Sequence, residues 1–323
     1  MRARVLVRAP ARLHFGVLDL RGDLGRRFGG LGAAIPEPSL ELLVEPASEL
    51  RAEGPEAARL LGYARTFLAH HELPGGAALT LRHAIPAHVG LGSGTQLALA
   101  VARGLAELHQ LPPQGAVQLA AAVGRGARSA IGTFVFDAGG FVLEGGRREG
   151  GGLAPLVLRR PMPADWRCVV VVPRAEAGLS GEAEARAFRS LPAPPAAEVE
   201  RVAHLVLMGM LPALAEARLA EFGAALSEVQ RVTGAWFAPA QGGAFARGPT
   251  GALVEALRGA GAPGVGQSSW GPTVYALAHD DAEAAELALV ARRVGGADAF
   301  VWRGAFINHG AHVERSVQDA LAD

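Results

Sequence analysis

PAHVGLGSGTQLALAVARGL, running from Pro86 to Leu105, passes from a glycine loop into a helix. Glycines at 90, 92 and 94 let the backbone approach a ligand closely. The alanine- and leucine-rich run from about Thr95 to His109 is made of helix formers and is stopped by Pro112 and Pro113. A helix start points unpaired N–H groups at whatever precedes it, and Ser93 and Thr95 add hydroxyl donors. Gly90, Gly92, Ser93, Gly94 and Thr95 therefore form a candidate anion cradle. The other reading is a plain strand-to-helix turn, because short glycine motifs are weak signals. The loop has no Gly-Lys-Ser/Thr ending and is not set in a dinucleotide-binding βαβ unit.

Outward from this loop, helical spacing is seen at Glu56–His70, about Gln114–Val123, Ala197–Met210, Leu214–Val229, Ala252–Ala260 and Asp281–Val294. Strands are expected in the opening run ARVLVRAPARLHFGVLDL, read as a strand pair, and at Leu40–Val44, Ala77–Leu81, Phe134–Leu143, Leu153–Leu158, Cys168–Val172, Thr273–Ala278 and Asp298–Trp302. A glycine-rich turn is expected over Arg21–Gly32. The interleaving has no regular βαβ rhythm, which predicts an α+β class. RRPMPADW, Arg159 to Trp166, is polar and broken by proline, and predicts two domains, 1–160 and 161–323.

The chain has 323 residues, half of them hydrophobic, enough for a substantial core. Its formal net charge is zero and no block of like charge occurs, which argues against nucleic acid or an anionic membrane as partner. All 31 basic residues are arginines, as a GC-rich genome would favour. The single cysteine, Cys168, lies in the apolar run CVVVVP and reads as a small buried hydrophobe. No signal-peptide stretch and no membrane-length apolar run occurs, so the expected location is cytoplasmic. AHLVLMGMLPAL, Ala203 to Leu214, reads as core helix or as a homodimer interface.

Three segments in order resemble the GHMP small-molecule kinases: the loop above, GARSAIGTFVFDAGGFVLEGG (Gly126–Gly146) and GVGQSSWGPTVY (Gly264–Tyr275). Two departures stand out. Gly94 occupies the position of a second serine, and Ser129-Ala-Ile-Gly132 stands where those kinases read Ser-Gly-Ile-Asp. A hydrogen atom cannot replace a carboxylate, so usual kinase chemistry is not expected. The resemblance implies a two-domain GHMP-like fold with the glycine loop opening a helix at the domain cleft. Ala11-Arg12-Leu13-His14-Phe15-Gly16 with Asp19, Gly25-Arg26 and Gly29-Gly-Leu-Gly32, then Gln241-Gly-Gly243, narrow it. These resemble the β-ribofuranosylaminobenzene 5′-phosphate synthases of methanopterin biosynthesis.

That resemblance implies a decarboxylating ribosyl transfer. Phosphoribosyl pyrophosphate would join 4-hydroxybenzoate or 4-aminobenzoate at the ring carbon bearing the carboxylate, releasing pyrophosphate and carbon dioxide. Magnesium would accompany the pyrophosphate, and no organic cofactor is implied. Leaving-group charge must be stabilised and the attacking carbon held in line. Arginine forks suit such anions. Arg26 heads the candidates, with Arg12, Arg27, Arg125 and Arg128, and Ser129, Gln241, Gln267 and Ser268 join the binding set. Asp19 is the carboxylate expected on magnesium, or else a turn former beside Gly22 and Asp23. His14 is expected to accept the phenol proton, or else to be a satisfied core histidine. Asp137 reads as a turn residue, and Gln230 and Phe237 as acceptor-pocket lining. A GHMP kinase using another carboxylate and an inactive ligand sensor are the competing functions.

Overall fold

The computed structural model describes residues 2–126, 129–175, 178, 179 and 181–318. Strands β1 (Arg2–Asp19), β2 (Phe28–Pro46) and β3 (Arg51–Glu53) are followed by helix α1 (Ala57–His70) and strand β4 (Ala77–His83). Helices α2 (Ser93–Leu108), α3 (Ala116–Ala122) and α4 (Ile131–Ala138) lead to strands β5 (Phe141–Glu144) and β6 (Leu156–Arg160). β7 (Arg167–Val172) precedes α5 (Gly181–Ser190), α6 (Ala196–His204), a π-helical segment at Leu205–Met210, α7 (Leu211–Ala215) and the long α8 (Leu219–Gln241). The chain ends with α9 (Pro249–Gly259), β8 (Val265–Gln267), β9 (Val274–Ala278), α10 (Asp281–Gly295), β10 (Phe300–Ala305) and β11 (His312–Gln318).

The architecture is α+β, with two sheets. In the first, β11, β1, β2, β4 and β3 lie side by side, and β5 and β6 extend from the early half of β2. The second runs β10-β7-β9-β8 and is antiparallel throughout. β11 pairs with β1 from Arg2↔Gln318 to Arg8↔His312, so the chain returns to the first sheet after visiting the second. One core joins the halves: Phe15 of β1 stacks 5.1 Å from Tyr275 of β9, and Phe141 of β5 lies 6.1 Å from Phe222 of α8. The proline-broken segment before β7 is not a solvated linker, because Met162 and Trp166 are buried and Trp166 packs 5.0 Å from Phe222.

Three expectations change. The opening run is one 18-residue strand rather than a pair, and its register slips between Ala9 and Ala11. Pro10, which has no N–H to give the ladder, sits in that slip. β2 begins at Phe28, inside the expected turn, and the glycines beyond it belong to the strand. The run expected as a strand over Phe134–Leu143 begins in the helix α4, with Ile131 to Phe136 all buried, and is strand only from Phe141, in β5. A short apolar run rich in β-branched and aromatic residues cannot be told from a buried strand by its pattern. In the Ala203–Leu214 stretch Val206 and Met210 are core, while Leu207 and Met208 are exposed.

Candidate active site

A cavity of about 510 Å³ is lined from both halves of the chain. Its polar end is the glycine loop. Gly90 has φ +88°, and a Cβ there would stand 2.1 Å from the Ser268 carbonyl oxygen, so no other residue fits. Gly92, at φ +80°, turns the chain into α2. The C-terminal turn locks the loop in place. Ser268 Oγ accepts a bond from the His14 amide at 2.9 Å and donates to the Gly90 carbonyl at 2.6 Å, while the Thr273 amide donates to Val89 at 3.2 Å.

Three guanidinium groups converge on this end. Arg12 takes Leu91 into the β1 edge through its amide and donates its side chain to the Gly90 carbonyl. Desolvation pushes its pKa down to about 10, with the Glu184 carboxylate pulling the other way, so it stays cationic at neutral pH. Arg125 Nη2 donates to Thr95 Oγ1 at 3.0 Å. A Cβ on Gly94 would lie 2.6 Å from Arg59 Nη2 and 3.4 Å from Arg125 Nη2. The place vacated by the serine hydroxyl of the kinase pattern is thus filled by two positive charges. At Gly132, where the kinase pattern has its carboxylate, a Cβ would stand 3.1 Å from Thr95 Cγ2.

Elsewhere the lining is aromatic. Phe28, Phe188, Phe237 and Trp270 form a chain of edge-on contacts, with centroids 5.2 Å apart for Phe28–Phe188, 5.4 Å for Phe188–Trp270 and 4.8 Å for Phe237–Trp270. Such a wall suits a flat ring. Trp270 is steadied by its indole N–H, which donates to Glu184 Oε1 at 3.1 Å.

Two titratable side chains line the cavity on either side of Gly30 in β2. A Cβ at Gly30 would stand 3.2 Å from His14 Nε2, and Glu144 is the residue paired with Gly30 on β5. Burial, reinforced by the Arg12 charge, pushes the His14 pKa down to about 3, so its ring is neutral and a weak base. Glu144 is completely buried and is pushed up to about 7 by desolvation, against the amides of Gly146 and Ala130. Its Oε2 accepts from the Gly146 amide at 2.8 Å, the Ala130 amide lies close by, and its Oε1 makes no bond of good hydrogen-bond geometry.

Of the residues expected from the sequence, Arg12, His14, Gly90, Gly92, Ser93, Gly94, Thr95, Arg125, Ser129, Gln241 and Gln267 line the cavity. So do Gln230 and Phe237. Arg128 lies outside the described residues. Ser268 is fully buried beneath the loop and clamps it. Three residues expected in the site stand elsewhere. Asp19 does not line the cavity: its Oδ1 accepts from the amides of Arg21 at 2.6 Å and Gly22 at 3.0 Å, closing the turn after β1. Arg26 donates to the Gly146 carbonyl at 3.1 Å, and the exposed Arg27 folds back onto the Leu20 carbonyl. Asp137 accepts from the Ala116 amide at the start of α3, a structural role. Among the described residues no group of three or more His, Cys, Asp or Glu is placed to hold a metal ion.

No pattern singled out Arg59 or Phe188, which sit in ordinary helices. Glu144 had a signal: a lone carboxylate ending the apolar run FVLE, just before Gly145 and Gly146. A charge at the end of a buried strand must be paired, protonated or in use.

Residues 58–145 match the family described as GHMP kinases N terminal domain, and residues 210–296 match GHMP kinases C terminal. The chain is 35% identical to the beta-ribofuranosylphenol 5'-phosphate synthase of Archaeoglobus fulgidus, over 88% of this chain and 90% of that one. It is 33% identical to the protein of the same name from Methanothermobacter thermautotrophicus, over 84% and 88%. Among solved structures, homoserine kinase from Cytophaga hutchinsonii superposes with a TM-score of 0.70 at 18% identity, covering 96% of this chain and 97% of that one. Mevalonate diphosphate decarboxylase from Staphylococcus aureus gives 0.67 at 13%, covering 97% and 98%. These two likenesses speak for the fold alone.

Proposed function

The chain belongs to the GHMP superfamily and, within it, to the beta-ribofuranosylphenol 5'-phosphate synthases, and from that premise we propose that it makes a ribosyl carbon-glycoside in tetrahydromethanopterin biosynthesis. Phosphoribosyl pyrophosphate and 4-hydroxybenzoate are the substrates, and pyrophosphate and carbon dioxide leave. The amino acceptor is the alternative. One observation carries the reading: a single cavity joins an aromatic wall to an arginine-lined glycine loop, while the kinase carboxylate position is Gly132.

The chemistry follows from those parts. Phe28, Phe188, Phe237 and Trp270 hold the flat acceptor ring and keep water from it. Arg12, Arg59 and Arg125, with Ser93, Thr95 and the α2 amides, bind phosphate oxygens and stabilise the departing pyrophosphate. As the bond from C1′ to pyrophosphate breaks, the sugar carbon becomes cation-like, and the fixed ring carbon stands ready to attack it. Magnesium in this reading travels with the pyrophosphate, whose oxygens are the hard ligands it prefers.

Thermal unfolding with added ligand tests the reading. Phosphoribosyl pyrophosphate is expected to raise the unfolding temperature, by about 2.7 kcal/mol of stability at a hundred times Kd, and ATP is expected to do far less. Stabilisation by ATP alone would favour the kinase reading.

A further inference from the structure

Glu144 is a carboxylate in the catalytic cavity that no phosphate-binding role explains. It is fully buried and lines the cavity, with Oε2 on the Gly146 amide, the Ala130 amide close by, and no partner of good hydrogen-bond geometry on Oε1. A buried carboxylate oxygen without a well-aligned donor is costly, and a catalytic role is one of the reasons such a group is kept. Glu144 also repels phosphate, so it belongs with the other substrate. Gly30 lies between Glu144 and His14, and a Cβ there would crowd His14 Nε2 at 3.2 Å and the Gly16 carbonyl oxygen at 3.3 Å, so glycine lets the His14 ring stand beside the strand position paired with Glu144.

Resting on the ribosyl-transfer reading, we infer that Glu144 is the catalytic proton carrier for the acceptor's hydroxyl. When the ring carbon bonds to C1′ and pyrophosphate departs, the hydroxyl proton passes to Glu144 and the ring becomes a dienone still carrying its carboxylate. Loss of carbon dioxide leaves its electron pair in the ring as a phenolate, and Glu144 returns the proton. Nothing is oxidised or reduced, and the carboxylate is restored. His14 cannot do this as well, since its neutral ring is a weak base while Glu144 titrates close to neutral pH, where a proton carrier works best. Among the described charged or titratable groups, His14 stands against Gly30, the residue paired with Glu144, and the Arg26 guanidinium reaches the Gly146 carbonyl. On α4 the only such group is Asp137, turned to α3, and on β6 the paired Leu156 is apolar.

A carrier matters only when the acceptor has a proton to lose, so the test varies the acceptor. Wild type, Glu144→Gln and Glu144→Asp are assayed for carbon dioxide release from 4-hydroxybenzoate and from 3,5-difluoro-4-hydroxybenzoate, whose hydroxyl is largely ionised near neutral pH. With 4-hydroxybenzoate, Glu144→Gln should lose about 10²- to 10³-fold in kcat, within the span of general acid–base catalysis. With the fluorinated acceptor that loss should shrink to about tenfold or less, and Glu144→Asp should keep more activity than the glutamine variant with 4-hydroxybenzoate. Thermal stabilisation by phosphoribosyl pyrophosphate should be the same in all three proteins, which shows that each is folded and binds. An equal loss with both acceptors, or wild-type turnover in Glu144→Gln, would overturn the proton-carrier role while leaving the ribosyl-transfer reading intact. Failure of wild type to release carbon dioxide from either acceptor would instead remove that reading, and the inference with it.

Discussion

Arg59 occupies the space that a side chain on residue 94 would need, its Nη2 standing 2.6 Å from the place of a Cβ on Gly94. The relationship explains why the loop reads Gly-Ser-Gly here. Where the kinase pattern offers a second hydroxyl, this chain brings a guanidinium from α1 and places that of Arg125 beside it, bonded to Thr95. Arg59→Ala or Arg125→Ala should each weaken phosphoribosyl pyrophosphate binding by about 10- to 100-fold, the worth of one charge-assisted hydrogen bond. Gly94→Ser should weaken it as well, by displacing Arg59, without creating ATP affinity. Calorimetric titration checks all three, and unchanged Kd values in the arginine variants would take those side chains out of the anion site.

Restoring the kinase carboxylate should not restore a kinase. In Gly132→Asp the new Cβ meets Thr95 at 3.1 Å, so the loop residue must yield by a few tenths of an ångström. We expect weaker ribosyl transfer and no ATP-dependent phosphorylation. Transfer of labelled phosphate to a small alcohol by this variant would show that the pocket has kept its kinase geometry.

Asp19→Asn should be nearly silent. The asparagine oxygen can accept the same two amide bonds that close the turn, so turnover should stay within about twofold and stability within about 1 kcal/mol. A sharp loss of turnover in a well-folded protein would put Asp19 back in the site as a magnesium ligand.

The aromatic wall should control acceptor affinity alone. Phe237→Leu keeps most of the volume but loses the edge-on contacts with Phe188 and Trp270. An aromatic contact is worth about 0.5–1.5 kcal/mol, so KM for the acceptor should rise by roughly 2- to 10-fold while that for the ribosyl donor stays put. Steady-state kinetics in both substrates decide it, and an equal rise in both KM values would mean general distortion.

His14 and Glu144 give the fold opposed pH dependences. The His14 pKa falls from 6.5 to about 3 on folding, so its contribution is present above pH 6.5 and lost as pH drops toward 3. That of Glu144 rises from 4.5 to about 7, so its contribution is complete below pH 4.5 and lost as pH rises through 7. Each slope is about 1.4 kcal/mol per pH unit, and between 4.5 and 6.5 they cancel. Glu144→Gln should expose a stability that climbs with pH across that window, and His14→Gln one that falls. Denaturant unfolding across a series of pH values reads both, and flat profiles in both variants would contradict the buried, shifted states of these groups.

The parts legible in the sequence were those whose signal is local. Gly90, Gly92 and the helix after them announce an anion cradle because backbone geometry needs glycine there and because α2 is long and strongly patterned. The order of three motifs fixed the superfamily. What escaped was decided by tertiary contact. Whether Asp19 faces a ligand or its own turn depends on which way β1 ends, and no residue pattern records that. Arg59 reaches the loop from α1, and its place is visible only once α1 packs against α2. α4 read as a strand because six buried residues in a row, with valine, isoleucine and two phenylalanines among them, look like a buried strand, and β11 was missed although it completes the first sheet beside β1.

The proposed function stands on transfer of a ribosyl group in place of a phosphoryl group. The most direct measurement is release of labelled carbon dioxide from carboxyl-labelled 4-hydroxybenzoate by the purified protein with magnesium, with and without phosphoribosyl pyrophosphate, and with no ATP. Release that requires phosphoribosyl pyrophosphate is the predicted result. No release, with 4-aminobenzoate failing as well, would contradict the account.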